Sequence, residues 1–213
     1  VFGGTYNYNV FNQYWVFEVQ TTKEYAIKYD GDEAGTWTVV PAVAWVDNRI
    51  QSGSKYSSYE LGYRTLAEAI AAAEDCNEPN FTETVTLLQD ITLENTITVN
   101  AGKDVILDLN GKTISGKDNN TSGSFNLFVN KGTFEVKDSS SESNGKITLE
   151  ATTNRAWNAS SSIISNNAGT LTITSGALEH LPSNHIGCFL ASFHNRCKSA
   201  EVFDSTIGTS TQE

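Results

Sequence analysis

Leu127-Phe128-Val129-Asn130-Lys131-Gly132-Thr133-Phe134-Glu135-Val136 and Ile164-Ser165-Asn166-Asn167-Ala168-Gly169-Thr170-Leu171-Thr172-Ile173 are one pattern written twice. Each is a short strand-like run, an Asn-x-Gly-Thr cassette and a second short run. A looser third copy, Asn100-Ala101-Gly102, also sits between two short runs. The spacing is 30 residues from Asn100 to Asn130 and 37 from Asn130 to Asn167, so each unit carries loops of different length. An Asn-x-Gly turn supplies the positive φ angles that a sharp corner needs. One unit cannot bury its apolar row alone, whereas stacked units join the rows into a continuous core. The repeat therefore predicts a parallel β-solenoid over about residues 84–178. The alternative, a β-sandwich of hairpins, leaves the recurring cassette without a reason.

Working outward, the apolar period around the cassettes is two, as strands require. Val85/Leu87, Ile97/Val99, Val105/Leu107/Leu109, Phe134/Val136, Ile147/Leu149 and Leu171/Ile173 alternate with polar or half-polar neighbours. Just before them the period changes. Leu66, Ile70 and Ala73 recur at helical spacing, Thr65 and Glu68 make a capping box, and Asn77-Glu78-Pro79 stops the run. A helix is expected from Thr65 to about Cys76, with a small face (Ala67, Ala69, Ala71, Ala72) that allows close approach to a flat surface. An open solenoid end exposes apolar side chains and unpaired strand edges, so this helix is expected to cap it.

Residues 1–50 read as strands: Tyr14–Val19, Tyr25–Tyr29 and Gly35–Val40. The turn Asp30–Gly35 joins the last two into a hairpin. Residues 51–63 are polar and punctuated by Gly and Ser, which marks a linker or loop. The expected domains are a β-hairpin segment (1–50), a linker (51–63), capping helix plus solenoid (64–178), and an irregular tail or cap (179–213). The tail shows no clear strand alternation, and it holds His180, His185 and His194 with Cys188 and Cys197.

The chain has 213 residues and a net charge of -11, which disfavours nucleic acid and anionic membrane as partners. No apolar run approaches the roughly 18 residues that span a bilayer. There is no methionine, so the chain is not expected to begin at a natural start codon. The three cysteines, Cys76, Cys188 and Cys197, are too few for a disulfide scaffold and match no zinc spacing. A Cys188–Cys197 pair stays open. Abundant Thr, Ser, Asn and Gly suit an all-β secreted or cell-surface protein, and the Asn-x-Ser/Thr sites at Asn80, Asn119/Asn120 and Asn158 suit exposed loops.

Three stretches carry a resemblance: Thr65-Leu66-Ala67-Glu68-Ala69-Ile70-Ala71-Ala72-Ala73, Val85-Thr86-Leu87-Leu88-Gln89-Asp90-Ile91-Thr92-Leu93, and Ala101-Gly102-Lys103-Asp104-Val105-Ile106-Leu107-Asp108-Leu109-Asn110-Gly111-Lys112-Thr113-Ile114. Together they resemble the start of pectate-lyase-like right-handed β-helix modules, which are common in large surface proteins and adhesins of Gram-positive and gut bacteria. Ile173-Thr174-Ser175-Gly176-Ala177-Leu178 and Val1-Phe2-Gly3-Gly4-Thr5-Tyr6 both resemble the closing coil of such modules. The resemblance implies an all-β fold: a short right-handed parallel β-solenoid with an N-terminal capping helix, preceded by a small β-hairpin segment. It also implies a slice of a longer tandem protein. It is specific for architecture and poor for activity.

Solenoid enzymes acting on polysaccharides use carboxylates, often with calcium, along one sheet. The motifs expected of galacturonan hydrolases (Asn-Thr-Asp, Asp-Asp, Gly-His-Gly, Arg-Ile-Lys) are absent, and Arg49, Arg64, Arg155 and Arg196 do not lie beside acids in solenoid strands. If Val105, Leu107 and Leu109 point inward, Asp108 points out, and so do Glu135, Lys137, Thr148 and Thr172. Asp108 and Glu135 can then share a face. Paired carboxylates act as acid and base in glycoside hydrolysis when about 5–10 Å apart. Two solvated surface acids are the other reading. Asp30, Asp32 and Glu33 are the densest acidic cluster; calcium is one reading and an ordinary hairpin turn the other. Tyr6, Tyr8, Phe11, Tyr14, Trp15 and Phe17 suit either stacking on sugar rings or packing under the hairpin. The histidines and cysteines of the tail match no catalytic or metal spacing, and no nucleophile elbow, P-loop or dinucleotide fingerprint is present.

The expected function is a non-catalytic extracellular or cell-surface module for display or for binding polysaccharide or a host surface protein, with no cofactor unless calcium. The alternative is a polysaccharide lyase or glycoside hydrolase using Asp108 and Glu135.

Overall fold

A computed structural model describes residues 4–6, 23–30, 36–52, 55–74, 81–119, 123–151, 160–180, 189–195, 199–202 and 205–209. These are mostly strand, with one short helix, and many of the strands pair in parallel. The chain divides into two compact units, Val1–Leu88 and Gln89–Glu213.

In the first unit, β2 (Tyr25–Asp30) and β3 (Thr36–Pro41) form the expected antiparallel hairpin, and β1 (Gly4–Tyr6) pairs with the other edge of β3. The strand expected at Tyr14–Val19 and the other aromatic residues between Tyr8 and Phe17 lie outside the described residues. Residues 51–63 are not a linker. Residues 51–52 and 55–63, those described, belong to β4 (Ala44–Ser52) and β5 (Lys55–Tyr63), which pair antiparallel from Ala44–Tyr63 to Ser52–Lys55. Tyr56, Tyr59 and Tyr63 carry strand propensity that outweighs the Ser and Gly among them. The other edge of β4 takes β6 (Glu83–Leu87), also antiparallel.

Helix α1 (Leu66–Glu74) starts as the capping residue dictates: the Glu68 N–H donates to Thr65 Oγ1 at 3.1 Å. The Glu68 carboxylate pairs with the Arg64 guanidinium. Nine residues are too few to hold a helix alone in water, so packing holds this one. Leu66, Ala69, Ile70 and Ala73 are buried, and the helix packs on β4, β5 and β6. Burying Leu66 and Ile70 stabilises by about 1.5–3 kcal/mol each. Of the expected small face, Ala69 is buried while Ala67 and Ala71 are exposed.

The second unit holds β7 (Ile91–Leu93), β8 (Ile97–Val99), β9 (Asp104–Asp108), β10 (Thr113–Asp118), β11 (Phe125–Asn130), β12 (Thr133–Lys137), β13 (Lys146–Ala151), β14 (Ser160–Asn166), β15 (Thr170–Ile173), β16 (Gly176–His180), β17 (Phe189–Asn195), β18 (Ser199–Val202) and β19 (Ser205–Thr209). Every third strand returns to the same sheet. The pairing orders are β7-β10-β13-β16-β19, β8-β11-β14-β17 and β9-β12-β15-β18, all parallel.

The registers turn the alternating sequence into buried rows. Ile114, Ile147 and Leu178 are in register, as are Val105, Phe134 and Leu171, then Leu107, Val136 and Ile173, and on the remaining sheet Ile97, Phe128 and Ile164. All twelve are buried. The rings of Phe128 and Phe134 meet with centroids 5.7 Å apart. The tail is not irregular where it is described: β17, β18 and β19 extend the three sheets. Their identity as strands comes from parallel partners about 29 residues earlier, which a reading by local alternation does not see. Among the described residues no helix is long and apolar enough to cross a membrane, a statement that does not bear on a β-barrel.

Candidate functional site

The chemistry-bearing side chains of the second unit gather at two kinds of corner and on one sheet face. The first corner is the cassette. Asn130 and Asn166 are adjacent in register and fully buried. Asn130 Nδ2 donates to Asn166 Oδ1 and to the Thr170 carbonyl, both at 2.8 Å, and Asn130 Oδ1 accepts the Gly132 N–H at 3.1 Å. One amide thus ties its own turn to the neighbouring parallel strand. The partner of Asn130 is Asn166 rather than the expected Asn167, because the third cassette is one residue longer. Ala168 absorbs the extra residue at φ 63°.

The cassette glycines also differ in purpose from the expectation. Gly102 does adopt positive φ, at 76°. Gly132 is needed for room: a Cβ there would stand 2.3 Å from the Lys103 carbonyl oxygen and 2.4 Å from that of Asn100. An L-residue in the left-handed region costs roughly 1–2 kcal/mol. Glycine at position 168 would recover that strain, less about 0.4–1 kcal/mol for its freer unfolded chain. Ala168→Gly is therefore expected to stabilise by roughly 0.5–1 kcal/mol, seen as a raised urea midpoint with an unchanged slope.

The second kind of corner follows β9 and β12 and is built on carboxylates. Asp108 does not stand in solvent as expected. It is 5 % exposed, and its Oδ1 accepts the N–H groups of Asn110 at 2.9 Å and Ser139 at 3.0 Å. The turn that follows β12 brings the Ser139 N–H onto it. Asp138, absent from the expected site, is engaged through both of its oxygens. Its Oδ1 accepts Gly111 N–H at 2.8 Å and Ser140 N–H at 3.1 Å, and its Oδ2 accepts Gly145 N–H at 2.5 Å. Burial pushes its pKa up, but the N–H groups of Ser140, Gly145 and Gly111 outweigh this and hold the carboxyl below the ordinary value. Ser175 Oγ accepts the Asp138 N–H at 2.6 Å and donates to its carbonyl at 3.1 Å. The sequence signal that could have found Asp138 is a short acid placed ahead of a Ser- and Gly-rich turn.

The face lies on β9, β12 and β15. Ile106, Glu135 and Thr172 form one register row, and Asp108 is opposite Lys137 in another. Glu135 is half-buried and accepts the Thr174 hydroxyl at 2.9 Å. Thr148, expected outside, is buried at 5 % exposure and reaches the Ile114 carbonyl at 3.5 Å. The structure therefore brings Asp108 and Glu135 to neighbouring strands, but not as two free carboxylates. Asp30 ends β2, and Asp32 and Glu33 lie outside the described residues, as do His185 and all three cysteines. Among the described residues no group of three or more His, Cys, Asp or Glu is placed to share a metal ion. The chain matches no family model, no curated protein and no solved structure.

Proposed function

We propose that the chain is a non-catalytic extracellular surface module. On this reading its parallel sheets are a short right-handed β-solenoid of the pectate-lyase-like kind. Its outer face displays itself to, or binds, polysaccharide or a host surface protein. The observation that supports this best is the engagement of Asp108: its Oδ1 holds two backbone N–H groups and the residue is 5 % exposed, so it serves the turn rather than standing in solvent as an acid–base partner for Glu135. The face that remains, Glu135, Lys137, Thr172 and Thr174, suits hydrogen bonding to hydroxyl-rich ligands. Return of every third strand to the same sheet supports the solenoid, because each layer adds one strand to each of three sheets. Calcium at Asp30, Asp32 and Glu33 stays part of the proposal as an ion for the first unit.

The test is a turnover screen on neutral and acidic polysaccharides, with and without calcium, following new reducing ends and unsaturated products. It is run alongside glycan-array binding for the native chain and Glu135→Gln. The expected result is no turnover by either chain and glycan binding weakened in Glu135→Gln. Turnover by the native chain that disappears in Glu135→Gln would make the protein a carbohydrate-active enzyme and overturn the reading.

A further inference from the structure

The sequence contains two Asn-Gly pairs, Asn110-Gly111 and Asn144-Gly145. Asn-Gly is the dipeptide most open to spontaneous loss of the asparagine amide. The glycine nitrogen has no side chain to shield it and attacks Cγ of the preceding asparagine. An N–Cγ bond forms, the side-chain nitrogen leaves as ammonia carrying the glycine proton, and a five-membered succinimide results. Water then opens either C–N bond of the ring, giving aspartate or isoaspartate.

Both pairs meet at one corner. Lys146 is in register with Thr113, so the two turns preceding β10 and β13 are stacked neighbours. The Asn144 Oδ1 lies beside Gly111, 3.0 Å from where a Cβ of that residue would stand. Asn144 is exposed and Asn110 half-buried, so water reaches both. The attacking atoms, however, are both occupied. The Gly111 N–H points at Asp138 Oδ1 at 2.8 Å and the Gly145 N–H at Asp138 Oδ2 at 2.5 Å. Asn110 is further pinned at φ 47° by its own N–H on Asp108.

We propose that Asp138 is a clamp on a latent modification site: one carboxylate, one oxygen per glycine, holds both peptide nitrogens away from succinimide formation, and its release opens Asn110 and Asn144 to deamidation. To attack, either nitrogen must swing its N–H off a buried carboxylate that thereby loses one of its three backbone donors, and this unmade charged hydrogen bond is the added barrier. In an unreplaced, long-lived protein, such a clamp sets how long the corner keeps its chemical identity.

The test incubates the native full chain, the same chain unfolded in urea, Asp138→Asn and Ser175→Ala at neutral pH. Conversion at Asn110 and Asn144 is read by peptide mapping and mass spectrometry. In the folded native chain both sites should convert more slowly than in urea by roughly ten- to a hundredfold, the factor that one hydrogen bond to a charged group is worth. Folded Asp138→Asn keeps one oxygen and replaces the other by an amide NH2, so it should lose most of that protection at the site the NH2 faces and part of it at the site left on the neutral oxygen. Ser175→Ala removes a different bond of the same corner and should stay close to native. Native conversion at the unfolded rate overturns the proposal, and so does unchanged protection in folded Asp138→Asn. An equal rise in Ser175→Ala overturns it too, because general loosening would then be the cause. If Asp138→Asn does not fold, hydrogen exchange of the native chain decides. Gly111 and Gly145 amides protected like strand amides support the clamp, and amides that exchange freely overturn it.

Discussion

Asn130→Asp is expected to destabilise the protein by roughly 3–5 kcal/mol, the cost of leaving a buried charge uncompensated. The substitution keeps shape and removes the two donors. The carboxylate oxygen that replaces Nδ2 faces Asn166 Oδ1 and the Thr170 carbonyl, both acceptors, at a fully buried position. Among the described residues, the favourable contact left is the Gly132 N–H on the other oxygen. The pH dependence identifies the cause. A carboxyl facing acceptors in a buried site has its folded-state pKa raised above the unfolded value, so the folded state binds the extra proton first. The deficit should therefore shrink as pH falls toward the ordinary carboxylate range, where a protonated oxygen donates again. Urea midpoints of the native and variant chains across that range check it. A loss below about 1 kcal/mol would show that the amide ladder does not hold the corner.

Gly132→Ala is the second large effect, expected at about 3 kcal/mol or more because the new methyl meets two backbone carbonyls with nowhere to go. Gly102→Ala is its control. Nothing lies within 4 Å of a Cβ there, so its cost is the left-handed φ alone, about 1–2 kcal/mol. Denaturant unfolding of both variants separates steric exclusion from backbone conformation. Equal losses would mean that Gly132 is needed for φ, as the cassette alone suggests.

These two residues also show how far a sequence carries. Repetition marks where chains turn, so the cassette located the corner, and alternation named the buried rows from Val85 to Ile173 correctly. Neither reports register. The extra residue at Ala168 shifts the partner of Asn130 by one, and only the neighbouring strand reveals it. The same limit explains the strands of residues 51–63 and of the tail, which owe their state to partners rather than to local pattern. For the site, alternation gave Asp108 an outward parity. It could not see that a turn some 30 residues later covers that carboxylate with Ser139, nor that Asp138 would gather three backbone donors.

The strand order of the second unit has a kinetic consequence. Its pairings among the described residues join segments from 23 residues apart (Ile91 with Ile114) to 37 (Thr133 with Thr170). None links the first strand to the last. Every step of ordering therefore closes a loop of similar size, and the entropy of closure does not climb as more of the chain is added. A nucleus formed anywhere can recruit the next segment on either side at nearly constant difficulty, so the rate of folding should depend weakly on how many strands each parallel sheet holds.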